Sequence, residues 1–151
     1  MIQIVKGFDN YKNRTIVELR KNGLVVGSLT LAEHYGYDWF MDYMSEETFQ
    51  SLTTDDSFLV LHQLYVDPRN RHKGYANELM TEAQKIIKQK FNNYEKIFLY
   101  ADPFESNIEL NLLKKFYNKY GFTELDIPEL LYYNYDVALN YKNNLMLKNL
   151  N

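Results

Sequence analysis

Apolar and polar residues alternate through Thr15–Arg20 (Thr-Ile-Val-Glu-Leu-Arg), and Leu24–Leu31 is rich in Val, Leu and Thr. Both segments read as strands. The Asn22-Gly23 pair between them is a strong hairpin signal, because a two-residue turn of matching twist needs positive φ at both positions. Ile2–Val5 adds a short strand. Tyr35–Thr54 is aromatic, acidic and poorly periodic, which predicts a loop carrying one helix near Ser45–Leu52. Phe58–Val66 is a strand, ended by Asp67-Pro68.

Beyond residue 74 the period changes. Ala76, Leu79, Met80, Ala83, Ile86 and Ile87 are spaced by one, three and four, the apolar stripe of an amphipathic helix from Gly74 to about Lys90. Ile97–Ala101 reads as a buried strand. Ser106-Asn-Ile-Glu109 has the form of a capping box, with Leu112, Leu113, Phe116, Tyr117 and Tyr120 as the helical stripe behind it and Gly121 as the stop. Phe122–Leu125 and Leu145–Leu150 close the pattern as strands. The order predicts a mixed α/β or α+β domain.

Composition narrows the chemistry. The 151 residues fit one domain, 1–151, able to bury its own core. With no cysteine, thiolate nucleophiles, disulfides and Cys-based metal sites are excluded, and three scattered histidines (His34, His62, His72) make a catalytic metal cluster improbable. No apolar run approaches a membrane span, and the N-terminus lacks a signal-peptide layout, so a cytoplasmic protein is expected. The net charge of −3 gives no support to a nucleic-acid partner.

That charge is unevenly spread. Residues 22–68 carry eight acids and no Lys or Arg, whereas residues 69–119 carry ten basic and six acidic side chains. The basic stretch opens on Leu64-Tyr-Val-Asp-Pro-Arg-Asn-Arg-His-Lys-Gly-Tyr-Ala76, where a strand passes through a short loop into a helix. Unpaired N–H groups at a helix start suit a phosphate, small residues such as Gly74 and Ala76 let the main chain approach it, and Arg69, Arg71 and Lys73 add positive charge. Taken alone, the segment fits an ordinary strand–helix connection with solvated basic residues equally well.

The segment Val66-x-Pro68-x-x-Arg71-x-x-Gly74-x-Ala76 resembles the acetyl-CoA pyrophosphate motif of the GNAT N-acetyltransferase superfamily, Gln/Arg-x-x-Gly-x-Gly/Ala. Forty residues later, Phe116-Tyr-Asn-Lys-Tyr-Gly-Phe122 is similar to its second hallmark, Phe-Tyr-x-x-x-Gly-Phe. The resemblance covers about residues 57–125. It implies a mostly antiparallel mixed sheet with helices on both faces and two central strands splayed to admit the pantetheine arm. It further implies acetyl-CoA as co-substrate, with no metal. Carried over by position, the backbone of Leu64, Tyr65 and Val66 would pair with pantetheine. His72, Lys73, Gly74, Tyr75, Ala76 and Asn77 would offer amides to the pyrophosphate, with Arg71 shaping the loop. His72 stands where the family often has Gly, and Leu110 where it frequently has Asn.

Acetyl transfer to an amine needs a deprotonated amine, an oxyanion donor and a proton for the departing thiolate. An alkylamine of pKa about 10.4 is neutral in only ~1 molecule in 2,500 at pH 7, a cost of ~4.6 kcal/mol. The resemblance makes Tyr117 the acid that protonates the thiolate; on its residues alone it reads as a core tyrosine. His62 is the candidate base, since the Leu-His-x-Leu-x-Val wording is similar to the arylalkylamine N-acetyltransferase branch; a packed strand histidine is the competing reading. Asp102 and Glu105 are weaker candidates. The acidic, aromatic stretch, with Asp38, Trp39 and Asp42, would suit a cationic acceptor through charge and cation–π contact. The expected partners are acetyl-CoA and an amine on a small molecule, peptide or protein, in a monomer or homodimer, with neither nucleic acid nor membrane. The rival functions are a catalytically inactive acyl-CoA-binding domain of the same fold and a protein-interaction domain.

Overall fold

The computed structural model describes residues 2–9, 13–41, 44–52, 57–101, 110–125 and 145–150. In chain order these form β1 (Ile2–Asp9), β2 (Arg14–Lys21), β3 (Leu24–Tyr35), α1 (Glu46–Leu52), β4 (Ser57–Val66), α2 (Tyr75–Lys90), β5 (Lys96–Tyr100), α3 (Leu110–Asn118), β6 (Thr123–Glu124) and β7 (Leu145–Asn149). Single 3-10 turns sit at Asp38–Phe40 and Pro68–Asn70. The chain divides into two compact units, Met1–Glu33 with Leu59–Tyr94, and His34–Phe58 with Glu95–Asn151.

In the first unit the strands run in the order β1-β2-β3-β4. β2 and β3 form the hairpin that Asn22-Gly23 predicts: Lys21 pairs with Leu24, and both turn residues have positive φ, 53° and 79°. Along β2 the alternation is realised, with Thr15, Val17 and Leu19 buried. β1 is longer than its apolar start suggests and pairs antiparallel with β2 from Ile2↔Lys21 to Asp9↔Arg14. α2 carries its stripe inward at Leu79, Met80, Ala83 and Ile86. Glu82, also buried, receives Lys6 from β1 at 3.0 Å and Lys85 at 3.3 Å, so an ion pair ties α2 to β1. After α2, the Tyr94 hydroxyl donates to the Glu33 carboxylate on β3 at 2.6 Å.

In the second unit β5 pairs antiparallel with β7, and β7 with β6. α1 lies where the loop reading expects one helix, its first turn held by the Ser45 hydroxyl, which accepts from the Thr48 N–H at 3.2 Å. An aromatic nest fills this unit. Phe40 packs against Phe49, Phe58 and Phe98 at ring separations of 5.0–5.2 Å, and Lys96 donates to the Leu52 carbonyl.

α3 departs from expectation. The apolar stripe placed Leu112 inward, but Leu112 is 59% exposed and Lys114 is buried beside Tyr117. Lys114 lays its hydrocarbon stem inside and turns its ammonium to Glu124 on β6, at 3.5 Å. The capping box at Ser106–Glu109 lies outside the described residues.

Candidate functional site

The strand–loop–helix segment in the first unit is built from β4 outward. Near its end β4 contains Gln63 at φ 55°, a left-handed residue that interrupts the regular pleat as a bulge does. Burial still alternates through it, with His62, Leu64 and Val66 partly buried and Gln63 and Tyr65 exposed. β3 holds the strand end closely. The Asp67 N–H donates to the Val26 carbonyl at 2.8 Å. At Gly27 an added Cβ would lie 3.1 Å from the Tyr65 carbonyl oxygen and 3.2 Å from Leu79 Cδ1, so only glycine admits both neighbours without displacement.

The loop begins with a self-contained turn. The Asp67 carboxylate accepts from the Arg69 N–H at 3.0 Å and from its guanidinium at 3.1 and 3.3 Å. The Arg69 guanidinium holds the Asp67 carboxyl below the usual carboxylate range. Pro68 starts the 3-10 turn, which the Asn70 N–H closes on the Asp67 carbonyl at 2.8 Å. Arg71 then reaches back, donating from Nε to the Val66 carbonyl at 3.1 Å, and so ties the loop to the strand it leaves. Lys73 is directed to the Asn70 amide oxygen at 3.5 Å.

Two left-handed residues, His72 at φ 62° and Gly74 at φ 82°, turn the chain into α2. The first i+4 bond of the helix runs from the Glu78 N–H to the Gly74 carbonyl, 3.1 Å. The amides of Tyr75, Ala76 and Asn77 precede it, and no side chain caps the helix. The main-chain N–H groups of Tyr75 and Ala76 thus stand at the positive end of the α2 dipole, directly after two left-handed residues, an arrangement suited to an oxyanion such as pyrophosphate. All the residues expected to bind cofactor, 64–66 and 71–77, lie on this one segment, and His62 lies on β4 just before it.

The other candidates lie in the second unit. Tyr117 sits on α3, 5% exposed, its ring edge-on to Phe116 at 5.5 Å and Phe122 at 6.0 Å. Among the described residues no group hydrogen-bonds its hydroxyl. Burial pushes this phenol well above its ordinary range. Asp38 is exposed at the start of a 3-10 turn, and Trp39 beside it lies against Tyr100 at 4.8 Å. Asp42 lies outside the described residues, as do Asp102 and Glu105. His34, which the sequence did not single out, stacks on Phe58 at 5.9 Å and approaches Trp39 at 5.9 Å. Gly27 was also missed, although a glycine inside a strand pattern is itself a sign of close approach. Among the described residues no group of three or more His, Asp or Glu is placed to hold a metal ion. No described helix is long and apolar enough to cross a membrane.

Residues 12–124 match the family described as the acetyltransferase (GNAT) domain. No curated protein matches the sequence. Solved structures share the fold. The PaiA N-acetyltransferase of Thermoplasma acidophilum, in complex with coenzyme A, is 19% identical over 91% of this chain with a TM-score of 0.53, and the chain spans 61% of that protein. Tetrahymena GCN5 is 20% identical over 93% of this chain and 70% of its own, TM-score 0.53. An acetyltransferase of the GNAT family from Staphylococcus aureus is 17% identical over 93% and 71%, TM-score 0.55. With seven strands and three α-helices among its described residues and a family match across most of its length, the chain belongs to the GNAT acetyltransferase domain family and has its acyl-CoA N-acyltransferase fold.

Proposed function

We propose that the protein transfers the acetyl group of acetyl-CoA to a primary amine by direct attack. The observation that supports this reading is the start of α2 at a left-handed glycine, Gly74, behind left-handed His72, which puts the Tyr75 and Ala76 amides at the positive end of the helix where a pyrophosphate would sit. The backbone of Leu64, Tyr65 and Val66 would pair with the pantetheine arm. An amide there would also serve as the oxyanion donor, and the break in the pleat at Gln63 favours this by re-aiming the groups that follow it.

In the reaction the amine nitrogen attacks the thioester carbonyl, the C–S bond breaks, and the thiolate takes a proton. His62 would accept the proton the amine loses. Tyr117 would donate to the thiolate. Burial raises this phenol above its ordinary range, so it is protonated at neutral pH and available as a donor. Net transfer to a thiolate in water would be uphill, since an ordinary thiol has pKa about 8.5. A thiolate drawn into the same apolar surroundings gains proton affinity from the same desolvation, which narrows the gap. Asp38, Trp39 and Asp42 would favour a cationic acceptor, on a small molecule or a peptide, and the reaction would run in the cytoplasm.

The test is acetyl-CoA turnover against pooled polyamines, aminoglycosides, amino acids and peptides, reading free thiol and the mass of the product. An acetylated amine with matching thiol release is expected. CoA binding without thiol release from any pool would instead mark an inactive acyl-CoA-binding domain.

A further inference from the structure

The turn that leads into the cofactor loop has a second face. There Asp67, Arg69 and Asn70 stand opposite the end of the β2–β3 hairpin, across an open cleft of about 430 Å3. None of residues 71–77 lines it. We propose that this cleft binds a small organic phosphate, its anionic head on Lys21 and Arg69 and its apolar or aromatic body on Leu24 and Val25.

Arg69 is prepared for such a contact. Asp67 fixes its guanidinium through Nε and Nη2, at 3.3 and 3.1 Å, which consumes two of five N–H donors. The other three have no partner among the described residues, and neither has the Lys21 ammonium. The Arg69 guanidinium, oriented by Asp67 on an exposed surface, presents its remaining donors as a fork that matches phosphate geometry. Asp67 cancels one of the two cations, so the cleft keeps a single net positive charge and suits a phosphomonoester better than a polyphosphate.

The rest of the lining supplies what a bare anion would not use. Leu24 is 72% exposed and Val25 44%, adjacent residues at the start of β3. They offer an aliphatic surface for a ring or hydrocarbon. Asn22, fixed in the turn at φ 53°, carries an amide with both donor and acceptor for a polar edge. The volume lies within the range of small-molecule sites, roughly 300–1,000 Å3. The site does not depend on acetyl transfer.

Adenosine 5′-monophosphate is a suitable probe, titrated into isotope-labelled protein and followed by amide chemical shifts. Shifts centred on 21–26 and 67–70 are expected, with adenosine and inorganic phosphate each binding at least ten-fold more weakly. The Lys21→Ala/Arg69→Ala variant should lose affinity at least ten-fold at unchanged Tm. Competition with CoA tests independence from the cofactor: the probe should be retained at saturating CoA, and its displacement would assign the shifts to the cofactor's own site and overturn the proposal. No shift at millimolar probe, undiminished binding in the double variant, or shifts confined to 71–77 would each overturn the proposal.

Discussion

The carbonyl oxygen of Tyr65 passes 3.1 Å from the point where a Cβ on Gly27 would stand, so the width of this strand pair is set by the absence of one carbon atom. Leu79 Cδ1, at 3.2 Å from the same point, ends a fully buried side chain, and the oxygen belongs to the backbone, so neither gives way without disturbing the packing. Gly27→Val should therefore destabilise the protein by about 1–3 kcal/mol, the usual cost of overfilling a packed site. At about 2–4 °C per kcal/mol for a chain of this size, thermal melting would show it. CoA affinity should fall as well, because the strand segment displaced is the one proposed to pair with pantetheine. An unchanged Tm would mean that β3 is free to shift.

His72 and Gly74 make a contrasting pair, both left-handed, one with a side chain and one without. Nothing lies within 4 Å of a Cβ added at Gly74, so Gly74→Ala tests backbone conformation alone. A loss of about 1–2 kcal/mol is expected, together with weaker CoA binding as the loop relaxes. His72→Gly should act in the opposite direction, by no more than about 1 kcal/mol, since the relief of strain is partly offset by the freer unfolded chain. Calorimetry with and without CoA reads both.

Tyr117→Phe separates stability from rate. The hydroxyl has no hydrogen bond among the described residues, so its removal leaves nothing unpaired, and Tm should stay within about 1–2 °C. kcat should fall by about 10²–10⁴ if the phenol donates to the thiolate. Full turnover by this variant would remove Tyr117 from the mechanism.

Lys6 and Lys85 hold the Glu82 carboxyl below its ordinary range, mainly through the hydrogen bond from Lys6. A carboxyl depressed in the folded state stabilises the protein above its unfolded pKa, near 4.3, and that contribution disappears as pH falls through the folded value. Glu82→Gln should thus lower Tm at neutral pH and make the decline below about pH 4.5 shallower. Melting curves between pH 3 and 7 compare the two slopes, and parallel curves would show that the pair contributes nothing.

What the sequence made legible was local. Asn22-Gly23 dictates its own turn, and the α2 stripe needs only a period. The phosphate loop is also written in consecutive residues, which is why its members could be named together. What was missed depends on distant partners. Lys114 is buried with its ammonium turned to Glu124, which arrives from beyond the Gly121 turn. Trp39 meets Tyr100 sixty-one residues on, and His34 meets Phe58 twenty-four residues on, so neither contact leaves a periodic trace. Gln63 adopts positive φ without being Gly, Asn or Asp, and nothing in its identity announces it.

The amides at the start of α2 have one more consequence. An N–H of the main chain neither titrates nor depends on which side chain its residue carries. A phosphate held by Tyr75, Ala76 and Asn77 through such groups would be gripped equally at pH 5 and pH 9. Substitutions at Asn77 or Lys73 could then accumulate at little cost to cofactor affinity, while the left-handed positions at 72 and 74 could not change so freely. The loop would be strict about its shape and indifferent to much of its spelling.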